Sequence, residues 1–212
     1  SREYGGRVLN VVLEDGPVKS IADLKGRKVG YSIGGFEDAL LRAMLARHGL
    51  TLDDITLINV NFSLSPALLA GQVDAVIGAY RNFELNQLAI EGYKGRAFYV
   101  EEEGVPSYDE LILVANPDHM DRAVLRRFLD ALEDGVRYLV NHPDESWELF
   151  IRGRAELDDE LNRLAWRDTL TRFALRPAAL DRARYARFAQ FMQDQGLIEK
   201  ALTVEDYATV LE

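Results

Sequence analysis

Lys28-Val29-Gly30-Tyr31-Ser32-Ile33-Gly34-Gly35-Phe36-Glu37 is the stretch on which the fold turns. It opens on short apolar residues at strand spacing and stops at two adjacent glycines. It then runs into Asp38-Ala39-Leu40-Leu41-Arg42-Ala43-Met44-Leu45, where apolar positions recur every three or four residues. The pattern predicts a strand, a glycine turn and a helix. Paired glycines let backbone approach a ligand closely, and the first N–H groups of a helix suit an anionic or carbonyl-bearing group. In an open α/β sheet such a turn lies at the carboxyl ends of the strands, where ligands bind. The spacing of Gly30, Gly34 and Gly35 is not that of a dinucleotide fingerprint, and a tight turn that binds nothing fits the same residues.

Outward from that stretch the alternation of strand and helix continues. Val8–Leu13 reads as a strand buried on both faces, and Ser20 with Asp23 forms a capping box for a short helical turn. The helix from Phe36 ends at His48-Gly49. Strands follow at Ile55–Val60, Val73–Tyr80 and Ala97–Val100, separated by helices at Ala67–Ala70 and Phe83–Glu91. Residues 20–103 are therefore expected to form a small α/β lobe with a parallel or mostly parallel sheet. Glu110–Ala115 reads as a last strand. From Arg122 the pattern is helical almost throughout, over Arg122–Asn141, Asp144–Ile151, Asp158–Phe173, Asp181–Gln195 and Val204–Leu211.

Composition narrows the function. The 212 residues carry a net charge of −10, which argues against a nucleic-acid surface. There is no cysteine, which removes disulfides, thiolate nucleophiles and Cys-ligated metals but leaves the compartment open. No run of eighteen apolar residues predicts a membrane-spanning helix. The three histidines, His48, His119 and His142, have no partner at metal-ligand spacing, so no metal site is expected. Ser32 lacks the elbow that would make it a nucleophile.

What remains is a cluster at the ends of the inferred strands: Tyr31, Ser32, Gly34 and Gly35; Tyr80, Asn82 and Glu84; Tyr108 and Glu110. Tyrosines can stack on a flat ring, Asn82 can donate and accept, and a carboxylate can accept from a ring amino group. Such a set suits a small planar heterocycle in an aromatic cleft. For each residue taken alone a structural explanation serves as well: core packing for Tyr80, a helix N-terminal acid for Glu84.

The segments Lys25–Tyr31, Gly34–Glu37, Ala67–Tyr80 and Gly104–Leu111 resemble the thiamine-pyrimidine (formylaminopyrimidine) binding proteins of ABC importers, within the NMT1/THI5-like superfamily. The resemblance runs over essentially the whole chain and includes the Gly196-Leu197-Ile198 turn. It implies a type II periplasmic binding protein of two α/β lobes, with ligand in the cleft and hinge closure on binding. Residues 20–103 would be the inserted second lobe, and 1–19 with 104–212 the first. The resemblance adds Phe36 and Glu37 to the ligand-facing set, with Tyr108 and Glu110 holding the pyrimidine and its amino group. It implies a periplasmic protein that hands its solute to a membrane permease and needs no cofactor.

Two departures from the family pattern accompany this likeness. The strand–helix units that open the first lobe in the family do not precede Ser1, so that lobe is expected to be incomplete, with an exposed sheet edge open to dimerisation. Arg81 stands where some members carry a ring-stacking Trp, so either stacking is lost there or Arg81 pairs with an anionic group. The alternatives are an enzyme like the eukaryotic thiamine-pyrimidine synthases, which use a Cys-rich motif that this chain lacks, or a receptor for a sulfonate, nitrate or riboflavin-type solute.

Overall fold

The structure, a computed structural model, describes residues 9–211. Five strands form one mixed sheet among them: β1 (Leu9–Leu13), β2 (Lys28–Tyr31), β3 (Thr56–Asn59), β4 (Ala75–Ala79) and β5 (Gly95–Tyr99). Their order is β3-β2-β4-β1-β5. β2 pairs parallel with β3 and with β4, while β1 runs antiparallel between β4 and β5. Two of the four pairings are parallel and two antiparallel, so four strands point the same way and β1 runs against them.

Helices α1 (Glu37–Arg47), α2 (Leu64–Leu69) and α3 (Glu84–Ile90) follow β2, β3 and β4. Successive strand residues point to opposite faces and divide the core in two. Val12, Val29, Ala75 and Ile77 pack with Leu40, Leu41, Met44 and Leu45 of α1. Val11, Val76 and Ala79 pack with Leu64 and Leu68 of α2 and Leu88 of α3. The helix after β2 therefore covers one face, and the helices after β3 and β4 cover the other. Connections from the neighbouring strands β2 and β4 leave in opposite directions and open a crevice at their carboxyl ends.

The Ser20 capping box forms as expected. Ser20 N donates to Asp23 Oδ2 at 2.9 Å, and the same motif recurs where Thr51 N donates to Asp54 Oδ2 at 2.9 Å. Both boxes close short 3₁₀ turns, Ile21–Leu24 and Leu52–Asp54.

Past residue 104 come α4 (Arg122–Asn141), α5 (Pro143–Ile151), α6 (Glu160–Leu170), α7 (Arg182–Asp194) and α8 (Val204–Tyr207). The ends of α4 match the sequence reading, because Asp121 caps it by accepting from Ala123 N and Val124 N at 2.9 and 3.0 Å. Trp147 and Phe150 of α5 and Trp166 of α6 bring their ring centroids within 5.3–5.8 Å of one another.

Two expectations are corrected. The first strand lies inside this sheet, so Leu9–Leu13 does not belong with the later helices; Val8 lies outside the described residues. Its burial on both faces follows from its place between β4 and β5. Second, Glu110–Ala115 is not a strand. Leu111, Ile112, Leu113 and Val114 are 82, 56, 58 and 84% exposed, and a strand needs a ladder partner that no described residue supplies. Beyond these two, Phe191 of α7 enters the core on the α1 face.

Candidate functional site

β3, β2 and β4 are parallel, so the three loops that follow them emerge along one edge of the sheet. A cavity of about 390 Å³ lies there. The β2–α1 loop contributes Ser32 and Glu37 to its lining, and the β3–α2 loop contributes Phe62 and Leu64. Gly78 and the β4–α3 segment Tyr80, Asn82, Phe83 and Glu84 complete it. Five of the eleven residues anticipated from sequence meet in one place: Ser32, Glu37, Tyr80, Asn82 and Glu84.

Glu37 is 4% exposed and its carboxylate folds back onto its own loop, accepting from Ser32 N at 2.8 Å and Ile33 N at 3.2 Å. The anion cradled by the glycine turn is thus one the protein supplies itself. The carboxylate lies against Gly78, whose φ is +95°. A Cβ on Gly78 would fall 2.6 Å from Glu37 Cδ, so glycine is required there both by the left-handed backbone and by the neighbouring acid. Glu84 makes the corresponding arrangement one connection further on. It is 8% exposed, and its Oε2 accepts from Tyr80 N at 2.5 Å. Each loop is therefore folded around a buried carboxylate that also borders the cavity, and among the described residues no Lys or Arg lines it.

Asn82 is turned partly to α6, where its Nδ2 donates to Thr169 Oγ1 at 2.6 Å; Asn86 Nδ2 donates to Asp168 Oδ2 at 2.7 Å beside it. These bonds tie the β4–α3 corner to the helical region. Arg81 leaves the cavity. Its guanidinium lies 4.5 Å from the Tyr99 ring centroid, and Nη2 donates to both Glu101 oxygens at 2.6 and 2.5 Å. The partner for Arg81 is therefore a protein carboxylate.

The other anticipated residues are placed elsewhere. Tyr31 and Phe36 pack against the core on the α1 face. Tyr108 is 6% exposed, edge-on to Phe36 at 5.9 Å and stacked on Phe188 at 4.5 Å, so its ring faces are taken by protein. Gly34 and Gly35 sit on the exposed turn, Gly35 at φ +88°. Glu110 is part-buried but does not line the cavity. Phe62, Leu64, Gly78 and Phe83 went unrecognised in the sequence. The Asn61-Phe62 pair after a strand is the signal that could have found Phe62, since Asn tolerates the left-handed turn that exposes its neighbour.

A sheet with this crevice is the architecture of periplasmic binding proteins. The periplasmic aliphatic sulphonate binding protein SsuA from Escherichia coli superposes with a TM-score of 0.69 at 20% identity, over 99% of this chain and 70% of that one. Residues 8–146 match the family model described as NMT1/THI5 like, and the chain belongs to that family. A protein described for its part in thiamine biosynthesis in Haemophilus influenzae is 55% identical over 95% of this chain and 65% of its own length. The formylaminopyrimidine-binding protein of Halalkalibacterium halodurans is 33% identical over 65% of this chain and 42% of its own length. The chain thus spans less than two thirds of either relative.

Proposed function

We propose that the chain is the solute-binding component of an ABC importer and captures a thiamine-precursor aminopyrimidine in the cavity at the sheet edge. The observation that carries this reading is the pair of buried carboxylates, Glu37 and Glu84, bordering a cavity that aromatic residues also line. A buried carboxylate favours N–H donors as ligands. An aminopyrimidine offers an exocyclic amino group to the acids and a flat apolar face to the aromatic part of the lining. The name of the 33%-identical relative supports the same ligand class.

Binding without catalysis is the economical reading of the site. The chain has no cysteine, and none of its three histidines lines the cavity. In this reading the protein works outside the cytoplasm and meets a membrane permease; no helix among the described residues is long and apolar enough to cross a membrane. We infer that the chain acts as two bodies: the sheet with its flanking helices, now including β1, and the region after residue 104. The Asn82–Thr169 and Asn86–Asp168 bonds run between them.

The test is Glu84→Gln with calorimetric titration of formylaminopyrimidine. Exchanging a charged acceptor for a neutral amide is expected to weaken binding about ten- to a hundredfold. Unchanged affinity in a folded variant would remove Glu84 from the site and overturn the proposal as stated.

A further inference from the structure

The carboxylates account for the polar edge of a ligand but not for its ring. Of the aromatic residues that sequence would put against a heterocycle, Tyr31 and Phe36 pack partly buried against the core, Tyr108 lies within it, and Tyr80 lines the cavity part-buried. An exposed aromatic ring does stand at the cavity, however, and it is Phe62.

Phe62 is 78% exposed while it lines the cavity, beside a neighbour, Leu64, that is 4% exposed. The loop is built to hold it there. Asn61 has φ +51°, and among the described residues it is the one non-glycine with positive φ. Its N–H donates to Asn59 Oδ1 at 2.8 Å, and Ser63 N donates to Val60 O at 3.0 Å, so the turn is closed at both ends. A left-handed residue is uncommon outside glycine and carries a conformational cost. Here it faces an apolar ring toward a cavity and water, away from a core only two residues further along.

We propose that Phe62 is the ring-stacking and specificity-determining residue of this cavity: its face covers a planar nitrogen heterocycle whose N–H groups reach Glu37 and Glu84. The inference rests on the function proposed above and adds a ligand contact on the third loop, from β3. Ligand entry then brings an exposed ring onto an apolar ligand face, so selectivity for flat over tetrahedral solutes originates at Phe62.

The experiment is titration of native protein, Phe62→Ala, Phe62→Leu and Phe62→Tyr with formylaminopyrimidine and with a short alkanesulfonate, alongside their thermal unfolding. Because the ring is exposed, all four should unfold at about the same midpoint. Loss of stacking should weaken pyrimidine binding about tenfold in Phe62→Ala, with Phe62→Leu also weak and Phe62→Tyr restored. Native-like affinity in Phe62→Ala would overturn the stacking role while leaving the aminopyrimidine reading intact. So would full recovery in Phe62→Leu, because bulk without a π-face would then suffice. If native protein binds the sulfonate, or neither compound, the functional reading fails first and the stacking role falls with it.

Discussion

The α/β layers and the chain beyond residue 104 are built from similar proportions of apolar residues but dispose of them differently. In the layers the apolar side chains of β1, β2, β4 and α1 are enclosed: Val11, Val29, Leu40, Leu41, Met44 and Leu45 have at most 1% exposure. In the later region, Leu111 to Val114 lie open, as do Val124 and Phe128 on α4, and Val136 is the buried residue of that long helix. A sheet flanked by helices closes its core with its own elements, whereas a helix closes one stripe only against a neighbour. The cavity at the ends of β2, β3 and β4 belongs to the closed half.

That contrast can be broken by substitution. Leu40→Ala should cost about 2–5 kcal/mol, since it opens a cavity in a sealed core; chemical denaturation reads this directly, and a loss below 1 kcal/mol would mean the layers are looser than described. Gly78→Ala should follow at about 2–3 kcal/mol, from a disallowed φ and a displaced Glu37. Its second signature is lost ligand affinity, which Leu40→Ala need not share.

Acid sharpens the comparison less, because capping carboxylates occur in both halves. Backbone N–H donation from Lys19, with Ser20 behind it, holds Asp23 below the usual Asp range; donation from Thr51 does the same for Asp54, and from Arg184 for Asp181. A depressed folded pKa contributes stability above the unfolded value, near 4, and that contribution is lost as pH falls through the folded values. Thermal midpoints should therefore hold from neutral pH to about 5 and decline below about 4. Leu113→Ala should be the mildest change, within about 0.5 kcal/mol, because the side chain is already in water.

Local signals in the sequence carried most of the fold. The cap at Ser20 and the glycine after α1 act within a few residues, so they can be read without a partner. Non-local pairing could not be read that way. Glu110–Ala115 has the residues of a strand, but pairing decides whether it is one, and the place of β1 between β4 and β5 depends on chain ninety residues away. Of the residues that line the cavity, Ser32, Tyr80, Asn82 and Glu84 could be named because they follow strands, and Glu37 through the family resemblance alone. Tyr108 misled because a buried ring and a ligand-facing ring have the same sequence signature. Phe62 escaped because its exposure is a property of the Asn61 turn rather than of its own residue type.

The most direct test of the account is a calorimetric titration of the native chain with formylaminopyrimidine and, separately, with a short alkanesulfonate. A cavity lined by Glu37, Glu84 and aromatic rings should bind the pyrimidine one-to-one and leave the sulfonate unbound. Saturable sulfonate binding with no pyrimidine binding would contradict it.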